Sequence, residues 1–524
     1  MTTTGASVSD SADPTSVPPP GETSGAGETT AAASQTSRPG LFAAFWRWHF
    51  YASLLVLPVM AVLAATGLIY LFRFTVDPWF APGITVERPA DDAAQMVPLA
   101  RQQAAAEAAH PGADVTMVTE AAADRASVFS VALPDGEDRN VHVDPWSGEV
   151  TASVVPTSLP SDVAIRLHGE LMAGRWGDYV IELAACWAIV MTLTGYYLFL
   201  RGRRARRARD RRHGRVVGLR SGHAVVGAVA GVGVLFLVAS GLPWTAFWGD
   251  TVQQWAAPRG ASLWSEDPGA TSTLGERLED ASGSSASPGW AISAVPLAAS
   301  TVPDGEGHDH GGAGSAPDGH PDDHRHHREV DEATPADSSV TVDTAVAAAV
   351  SEGLTGPFTI TYPADETGVY SVLASQWYDP EQEAFRDVSA EATAHVDQYS
   401  GDVVARYGYA DYTPAAQVVS QAIALHEGRR FGAVTTVTTT AFCLGILFLC
   451  VSAPVMWWRR RPKQGGLAAP RGRMPVRSTP WLAVGLVVLG VALPLFGLSL
   501  LVVLLLDQLV VRSVPALRRA LSTT

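Results

Sequence analysis

The sequence has little charge and almost no cysteine. Charged residues make up 17% of the 524 residues, against about 25% in a typical soluble domain. Only three cysteines are present, and none forms a CxxC pair, which excludes a disulfide framework and a cysteine-based zinc site. No GxGxxG, P-loop, HExxH or nucleophile-elbow motif occurs in a suitable context, so neither a nucleotide site nor a hydrolase is evident. The net charge of −15 argues against nucleic-acid binding.

Long apolar runs take the place of charge. They cover residues 52–72, 179–200, 224–247, 433–458 and 481–506, and each is near the length that a helix needs to cross a bilayer. The polar insertions after the first and third runs are long enough to fold as small domains.

The runs and insertions predict an α-helical polytopic membrane protein with a four-helix core, a C-terminal hydrophobic segment and two extracytoplasmic α+β domains. The predicted segments are a disordered cytoplasmic tail (1–40), the first transmembrane helix (41–73), the first outer domain (74–162), the second transmembrane helix (163–201), a basic cytoplasmic loop (202–220), the third transmembrane helix (221–248), the second outer domain (249–418, with a His-rich insertion at 304–330), the fourth transmembrane helix (419–459), a second basic cytoplasmic loop (460–479), the C-terminal span (480–507) and a tail (508–524).

Arginine clusters predict the orientation. The loops at 201–220 and 457–477 are rich in Arg, and such loops stay in the cytoplasm. The N-terminus is then cytoplasmic, and both insertions lie outside the cytoplasmic (inner) membrane. The last run contains Pro494 and favours one tilted or kinked helix over a hairpin. That choice leaves Arg512, Arg518 and Arg519 outside, against the charge rule, so the side of the C-terminus stays open.

The chain contains an internal repeat. His49 to Gly67 and His223 to Gly241 both span 18 positions, while His168 to Gly195 and His426 to Ala453 both span 27. An Arg-aromatic-Gly element is displaced by three residues in the second comparison, which makes that alignment weaker. HVDPWSGEV (142–150) and HVDQYSGDV (395–403) repeat in the insertions and predict a strand, a tight turn and a strand. Helical segments (97–109, 340–352) and further strands (126–132, 368–374) precede them.

Four histidines lie at the ends of the predicted spans. A histidine at a membrane helix is costly unless it has a partner, and neutral imidazole is a common haem-iron ligand. By depth, His49 and His223 share the inner layer, and His168 and His426 share the outer layer. The hypothesis is that each pair holds one haem. The alternative is that each is an interfacial histidine hydrogen-bonded to backbone.

Other residues near the spans are candidates for supporting roles. Arginines near the histidines could bind haem propionates, or could be ordinary interfacial arginines; they are Arg47, Arg166, Arg175, Arg429 and Arg430. Gly227, Ala230 and Gly231 share a helix face with His223, where they leave room for a macrocycle or allow close helix packing. Glu182 is a possible proton or polar partner, or a snorkelling side chain.

The second insertion holds a tract of histidines interleaved with acids. These histidines could bind zinc, copper, nickel or iron, although their spacing is too loose for a defined coordination shell, and plain disorder is the alternative; they are His308, His310, His320, His324, His326 and His327. Trp244, Trp248, Trp255 and Trp264 follow the third span and indicate an interfacial aromatic belt or a docking surface.

The combined motifs resemble the PepSY-associated transmembrane proteins, a family that includes iron-regulated inner-membrane proteins and ferric-siderophore reductases. The resemblance covers residues 41–462 and rests on WRWHF with TG, RLHGEL with GRWG, the HVD-x-aromatic-SG-acid-V pair, SGH, and LHEGRRFG. It implies a helical bundle with two b-type haems on histidines, and paired extracytoplasmic PepSY domains. The second copy departs from the pattern, since it ends in Ser-Ala-Pro and carries the His-rich insertion.

Two functions follow as expectations. The first is a transmembrane haem protein that reduces ferric iron, as a siderophore or other ferric chelate, outside the cytoplasmic membrane. Because the sequence offers no nucleotide site, its electrons would come from a cytosolic flavoprotein, reduced flavin or membrane quinol. The second is a non-redox PepSY membrane protein that binds metal or a protein partner in a regulatory role. Membrane lipid surrounds the helices in both.

Overall fold

The computed structural model describes residues 41–91, 94–122, 124–213, 218–249, 251, 277, 297–302, 340–374, 388–461, 480–511 and 513–514. The helices are α1 (Leu41–Leu71), α2 (Arg73–Val76), α3 (Leu99–Ala109), α4 (Pro160–Glu170), α5 (Arg175–His213), α6 (Leu219–Gly241), α7 (Val342–Ser351), α8 (Pro414–His426), α9 (Ala433–Arg460), α10 (Pro480–Ala492) and α11 (Pro494–Leu506). The strands are β1 (Asp114–Thr119), β2 (Ser127–Ala132), β3 (Asp138–Val143), β4 (Val150–Val154), β5 (Phe358–Thr361), β6 (Val369–Ala374), β7 (Ala392–Asp397) and β8 (Val403–Gly408). The predicted N-terminal tail (1–40) lies outside the described residues.

Four long apolar helices pack together in a bundle. Helix α1 packs against α5 and α9, and α6 packs against the same two helices. The buried core between them holds small and medium apolar side chains such as Val56, Ala188, Val234 and Ile446. Among the described residues, five helical segments are long and apolar enough to cross a membrane; they are Leu41–Leu71, Arg175–Arg203, Leu219–Trp244, Ala433–Arg460 and Pro494–Val511.

The second and fourth spans each begin after a separate short helix, which corrects the predicted single helices at 163–201 and 419–459. Between α4 and α5 the chain turns through Leu171, Met172 and Gly174, all with positive φ. Between α8 and α9 it turns through Gly428 and Gly432, also with positive φ. A right-handed helix cannot continue through such residues, so each turn ends the first helix and redirects the second.

Part of the predicted basic loop at 202–220 is helical. Helix α5 continues to His213, and α6 begins at Leu219. Arginine has a high helix propensity, which explains why the Arg-rich stretch extends α5 beyond its apolar part.

Both insertions contribute to one continuous sheet. Its eight strands are antiparallel in the order β4-β3-β2-β1-β5-β6-β7-β8, and the two halves meet where β1 pairs with β5. The prediction of two outer domains did not include this pairing. Helices α3 and α7 cover one face, and their buried core includes Phe129 and Ile360. Asp343 of α7 accepts hydrogen bonds from the backbone amides of Leu99 and Ala100 at the start of α3, so the second half caps the helix of the first half.

The C-terminal hydrophobic segment (480–507) is a helical hairpin, so the prediction of a single helix is wrong. Leu493 leaves the helical conformation and Pro494 begins α11. The arms are in backbone contact, because a Cβ added at Gly490 would lie 3.2 Å from the Cα of Gly497. At the tip, Phe496 packs edge-on against Trp187 of α5. Glycine, which has no side chain, permits this approach.

The hairpin predicts that the C-terminus lies on the same side of the membrane as the end of α9. The indole of Trp248, just after the sheet end of α6, donates to the carbonyl of Ala492 at the tip, so both arms point away from the sheet. In sealed vesicles, Ser513→Cys and Arg461→Cys should react with an impermeant maleimide from one face, and Ser351→Cys on α7 from the other. Labelling of Ser513→Cys from the face that labels Ser351→Cys would contradict the hairpin.

A partly buried carboxyl lies at the junction of the two sheet halves. Glu120 follows β1, and its Oε2 accepts a hydrogen bond of 2.8 Å from the backbone amide of Phe358. Burial is the main cause that raises the pKa of Glu120 to about 7, and the nearby charge of Asp343 adds to it. A carboxyl with a raised pKa stabilises the fold below its unfolded pKa, and this contribution is lost as the pH rises through 7.

We therefore expect the sheet to lose stability between about pH 5 and pH 8. The slope from Glu120 is at most about 1.4 kcal/mol per pH unit. Glu120→Gln, which keeps an oxygen to accept from Phe358, should reduce the fall in melting temperature over this range, while Glu149→Gln on an exposed turn should leave it unchanged. An equal fall in the wild type and Glu120→Gln would show that the Glu120 carboxyl does not titrate in this way.

Candidate metal centre formed by four histidines

Each of the four predicted histidines lies against a hydroxyl residue on another helix. His49 of α1 faces α5, where its Nδ1 lies 2.8 Å from the carbonyl oxygen of Met191 and 3.4 Å from Oγ1 of Thr194. In the reverse direction, Nδ1 of His168, on α4 just before α5, lies 3.0 Å from Oγ1 of Thr66 on α1. The first two spans are therefore joined by a histidine at each end.

The second half repeats this arrangement. Nδ1 of His223 on α6 lies 2.8 Å from Oγ of Ser452 on α9. Nδ1 of His426, at the end of α8, lies 2.8 Å from Oγ of Ser240 on α6. The matched spacings in the sequence thus correspond to four contacts between a histidine and a Thr or Ser that precedes a small residue, although the nearest partner of His49 is the carbonyl of Met191.

The hydroxyl hydrogens are already used within their own helices. Thr66 donates to the carbonyl of Val62 at 2.8 Å, Thr194 to that of Val190 at 2.8 Å, and Ser240 to that of Phe236 at 2.8 Å. Ser452 likewise donates to the carbonyl of Leu449 at 3.3 Å. The tautomer that satisfies both contacts has the hydroxyl donating to its own helix and Nδ1 donating to the hydroxyl.

The proton on Nδ1 determines what the other nitrogen can do. A neutral imidazole has one donor and one acceptor nitrogen, so Nε2 keeps its lone pair in all four rings. Hydrogen bonds of this kind commonly fix the tautomer and orientation of metal-binding histidines. The four side chains thus have the protonation that a metal ligand needs.

The small residue after each hydroxyl lets the ring come close. A Cβ added at Gly195 would lie 3.1 Å from Cε1 of His49, and one at Gly241 would lie 3.4 Å from Cε1 of His426. At Gly67 the corresponding distance to His168 is 3.7 Å. A Cβ at Gly195 would therefore require His49 to shift by a few tenths of an ångström, whereas one at Gly241 would be close to ordinary van der Waals contact with His426.

The histidines from the two halves meet at the sheet end of the bundle. The ring centres of His168 and His426 are 6.3 Å apart, with planes at 87°. Trp244, which follows α6, packs edge-on against His426 at 5.8 Å. At the arginine-rich end, His49 and His223 lie close enough for an electrostatic interaction. The two ends are about 26 Å apart, as given by the helical rise from His49 to Thr66 in α1.

The five predicted propionate-binding arginines have other partners. The guanidinium of Arg429 pairs with Glu427 at 2.7 Å, and that of Arg430 donates to Gln421 at 2.7 Å. The remaining three contact residues four positions along their own helices, in the pairs Arg47 with Tyr51, Arg166 with Glu170 and Arg175 with Tyr179. A role with propionates stays a prediction for all five.

Glu182 is fully buried and does not snorkel. Its Oε2 accepts hydrogen bonds from the backbone amides of Phe247 and Trp248, while Asp178, one turn earlier, accepts from that of Ala246. The two carboxylates hold the segment that carries Trp244 after α6. Their spacing of four residues puts them on one face of α5.

The face of α6 near His223 serves helix packing, because Gly231 lies against Tyr196 and Gly227 lies against Leu449.

The predicted metal-binding His-rich tract (304–330) lies outside the described residues, as do Trp255 and Trp264. Within the described residues, no group of three or more His, Cys, Asp and Glu side chains could hold a metal ion.

The hydroxyl partners were not predicted from the sequence. The Thr-Gly and Ser-Gly pairs are visible there, and their distance from each histidine is the same in both halves. That regularity was a sufficient signal to select Thr66, Thr194, Ser240 and Ser452. Assigning them a role required knowing which helices are neighbours.

Comparison with known proteins places the chain in a family. Residues 46–460 match the family model described as the PepSY-associated TM region. The match covers well over half of the chain and includes all four histidines, so the chain belongs to this family. No curated protein matches it. Together with the five candidate spans, the match identifies a multi-pass membrane protein.

Proposed function

We propose that this member of the PepSY-associated transmembrane family is a duplicated four-helix haem protein that carries electrons across the cytoplasmic membrane and reduces ferric chelates, ferric siderophores among them, on the outer side. His168 and His426 would hold one b-type haem, and His49 and His223 the other. The observation that carries the proposal is the pairing of histidines from the two halves, each with Nδ1 engaged by a hydroxyl.

The donor set fits a six-coordinate iron. The imidazoles of His168 and His426, with ring centres 6.3 Å apart, are close enough to share one metal ion and would together hold a haem iron. All four histidines are only partly buried by protein atoms. A haem with two histidine ligands supplies one-electron redox chemistry.

The protein's own groups would hold and protect such centres. The hydroxyls of Thr66, Thr194, Ser240 and Ser452 orient the imidazoles and increase their basicity. The buried side chains between the two ends of the bundle are mainly apolar, and the buried carboxyl of Glu182 lies in the first turns of α5, at the sheet end.

The sheet is well placed to present a substrate to the outer pair. Strand β4 leads into α4, which carries His168, and β8 leads through a short turn into α8, which carries His426. The buried carboxylate of Asp77 accepts hydrogen bonds from the backbone amide and hydroxyl of Ser161 at the start of α4. The sheet and the outer histidines therefore form one connected unit.

The proposal predicts how much haem the protein binds. His168→Ala and His223→Ala should each reduce the haem content of the purified protein by about half, because each removes one ligand from a different pair. The measurement is the haem absorbance per protein, compared before and after reduction with dithionite. His110→Ala is the matched control, since His110 follows α3, away from the bundle, and its Nε2 lies 2.8 Å from Oγ of Ser153 on β4.

A colourless, folded protein from haem-replete cells would contradict the proposal. It would instead support the non-redox alternative, in which the domains bind metal or a protein partner in a regulatory role. Loss of all haem in only one of the two variants would contradict the assignment of ligands to pairs.

The hydroxyl partners predict a second, independent effect. Ser240→Ala removes the hydroxyl partner of His426 Nδ1, and loss of such a partner typically weakens metal binding about 10- to 100-fold. It should also raise the midpoint potential of the sheet-side centre, because the imidazole becomes a weaker electron donor to ferric iron. A redox titration and the rate of haem loss measure these effects.

Ser240→Thr is the control for this experiment, because Thr66 and Thr194 occupy the equivalent positions in the first half. It should retain the wild-type potential and haem. The same potential in Ser240→Ala and the wild type would mean that the hydroxyl does not act on the ligand.

A further inference from the structure

Two equivalent histidines in the sheet have opposite surroundings. His142 of β3 and His395 of β7 are the first residues of the two HVD motifs. His142 pairs with Ala152 on β4, His395 pairs with Ala405 on β8, and a bulge follows each histidine. They therefore occupy the same position in the two halves of the sheet, on the face opposite α3 and α7.

His395 has a full set of hydrogen bonds. Its Nδ1 lies 2.9 Å from Oγ of Ser371, and its Nε2 lies 3.3 Å from the hydroxyl of Tyr407. Its side chain is 1% exposed. This is the ordinary state of a buried histidine, with both nitrogens satisfied.

His142 lacks these partners. The strand positions that correspond to Ser371 and Tyr407 hold Val128 and Val154 in the first half. His142 is 6% exposed, and neither ring nitrogen has a hydrogen-bond partner among the described residues. A buried polar group without a partner destabilises the fold, so an apolar residue would suit the sheet better than His142 does.

The strand register places a guanidinium near this histidine, because Arg125 comes two residues before Ser127, which pairs with Val143 next to His142. Arg125 donates through Nη2 to the carbonyl of Phe74 and lies over the Phe74 ring at 4.9 Å. Its Nε is buried with no hydrogen-bond partner among the described residues, and the carboxylate of exposed Asp124 is 3.8 Å away. Burial, and then the charge of Arg125, lowers the pKa of His142 to about 4, so the ring is neutral and offers one N–H.

We propose that His142 and Arg125 form a binding site for an oxyanion, a carboxylate or phosphate group, between the first half of the sheet and the segment that follows α1. The imidazole N–H and the Nε–H of Arg125 are the donors, and the guanidinium supplies the charge. The second half has no such site, because Ser371 and Tyr407 satisfy its histidine. The site does not depend on haem.

The oxyanion has two possible sources. Phe74 lies just past the sheet end of the span α1, so the phosphate of a lipid headgroup is one source. A small carboxylate or phosphate from solution is the other source. Measurements in lipid-free detergent and in nanodiscs distinguish the two.

The test measures the melting temperature of the full chain. In lipid-free detergent, inorganic phosphate or citrate should stabilise the wild type relative to chloride at equal ionic strength. If the headgroup is the source, nanodiscs with phosphatidylglycerol should stabilise it relative to phosphatidylcholine instead. In His142→Leu and in Arg125→Gln, the oxyanion or lipid concentration required for this stabilisation should be at least tenfold higher than in the wild type.

Val128→Ser is the sharpest control, because it gives His142 the partner that His395 has. We expect it to raise the melting temperature without oxyanion and to weaken oxyanion binding. Either of two results would overturn the proposal. One is that His142→Leu is stabilised by the same oxyanion or lipid concentrations that stabilise the wild type. The other is that phosphate, citrate and phosphatidylglycerol all fail to stabilise the wild type.

Discussion

The hydrogen bond from an imidazole Nδ1 to a hydroxyl on a neighbouring helix is the interaction on which this structure depends. It occurs four times, once at each end of each helix pair, and it does three things. It joins two spans whose other contacts are mainly apolar, and apolar contacts give little preference for one helix alignment over another in lipid. It fixes which nitrogen carries the proton, and it gives each ring a defined direction. A small residue beside each hydroxyl lets the contact form.

The sheet extends this constraint beyond the membrane. Pairing of β1 with β5 makes one rigid unit of two insertions, and the two outer strands β4 and β8 lead to the short helices that carry His168 and His426. Asp343 and Glu120 add contacts between the halves. Because the two outer histidines come from different halves, their separation depends on how well the halves are held together. The fused sheet thus explains how His168 and His426 stay 6.3 Å apart.

Local patterns in the sequence predicted the local structure well. Apolar runs predicted the spans, and the segments at 97–109, 340–352, 126–132 and 368–374 correspond closely to α3, α7, β2 and β6. The strands β1 and β5, which join the halves, were not predicted. Their role is visible only as a pairing between residues far apart in the chain, such as Val118 with Ile360.

Other features depended on contacts that a single sequence does not specify. The hairpin of α10 and α11 rests on Gly490 meeting Gly497 and on Phe496 packing against Trp187, whereas Pro494 alone is equally compatible with a kink. The contrast between His142 and His395 was hidden for the same reason, because their motifs are nearly identical and only the neighbouring strands differ. Repeat spacing could indicate which hydroxyls matter, but not which histidine each one contacts.

Electron transfer across a sealed membrane tests the central claim most directly. The protein is reconstituted in vesicles with a reductant trapped on the side of His49 and His223, and a ferric chelate with a ferrous-specific dye is added on the side of the sheet. The account predicts ferrous iron on the sheet side in the wild type, and loss of it in vesicles with His49→Ala or His426→Ala. Equal rates in the wild type, both variants and protein-free vesicles would contradict it.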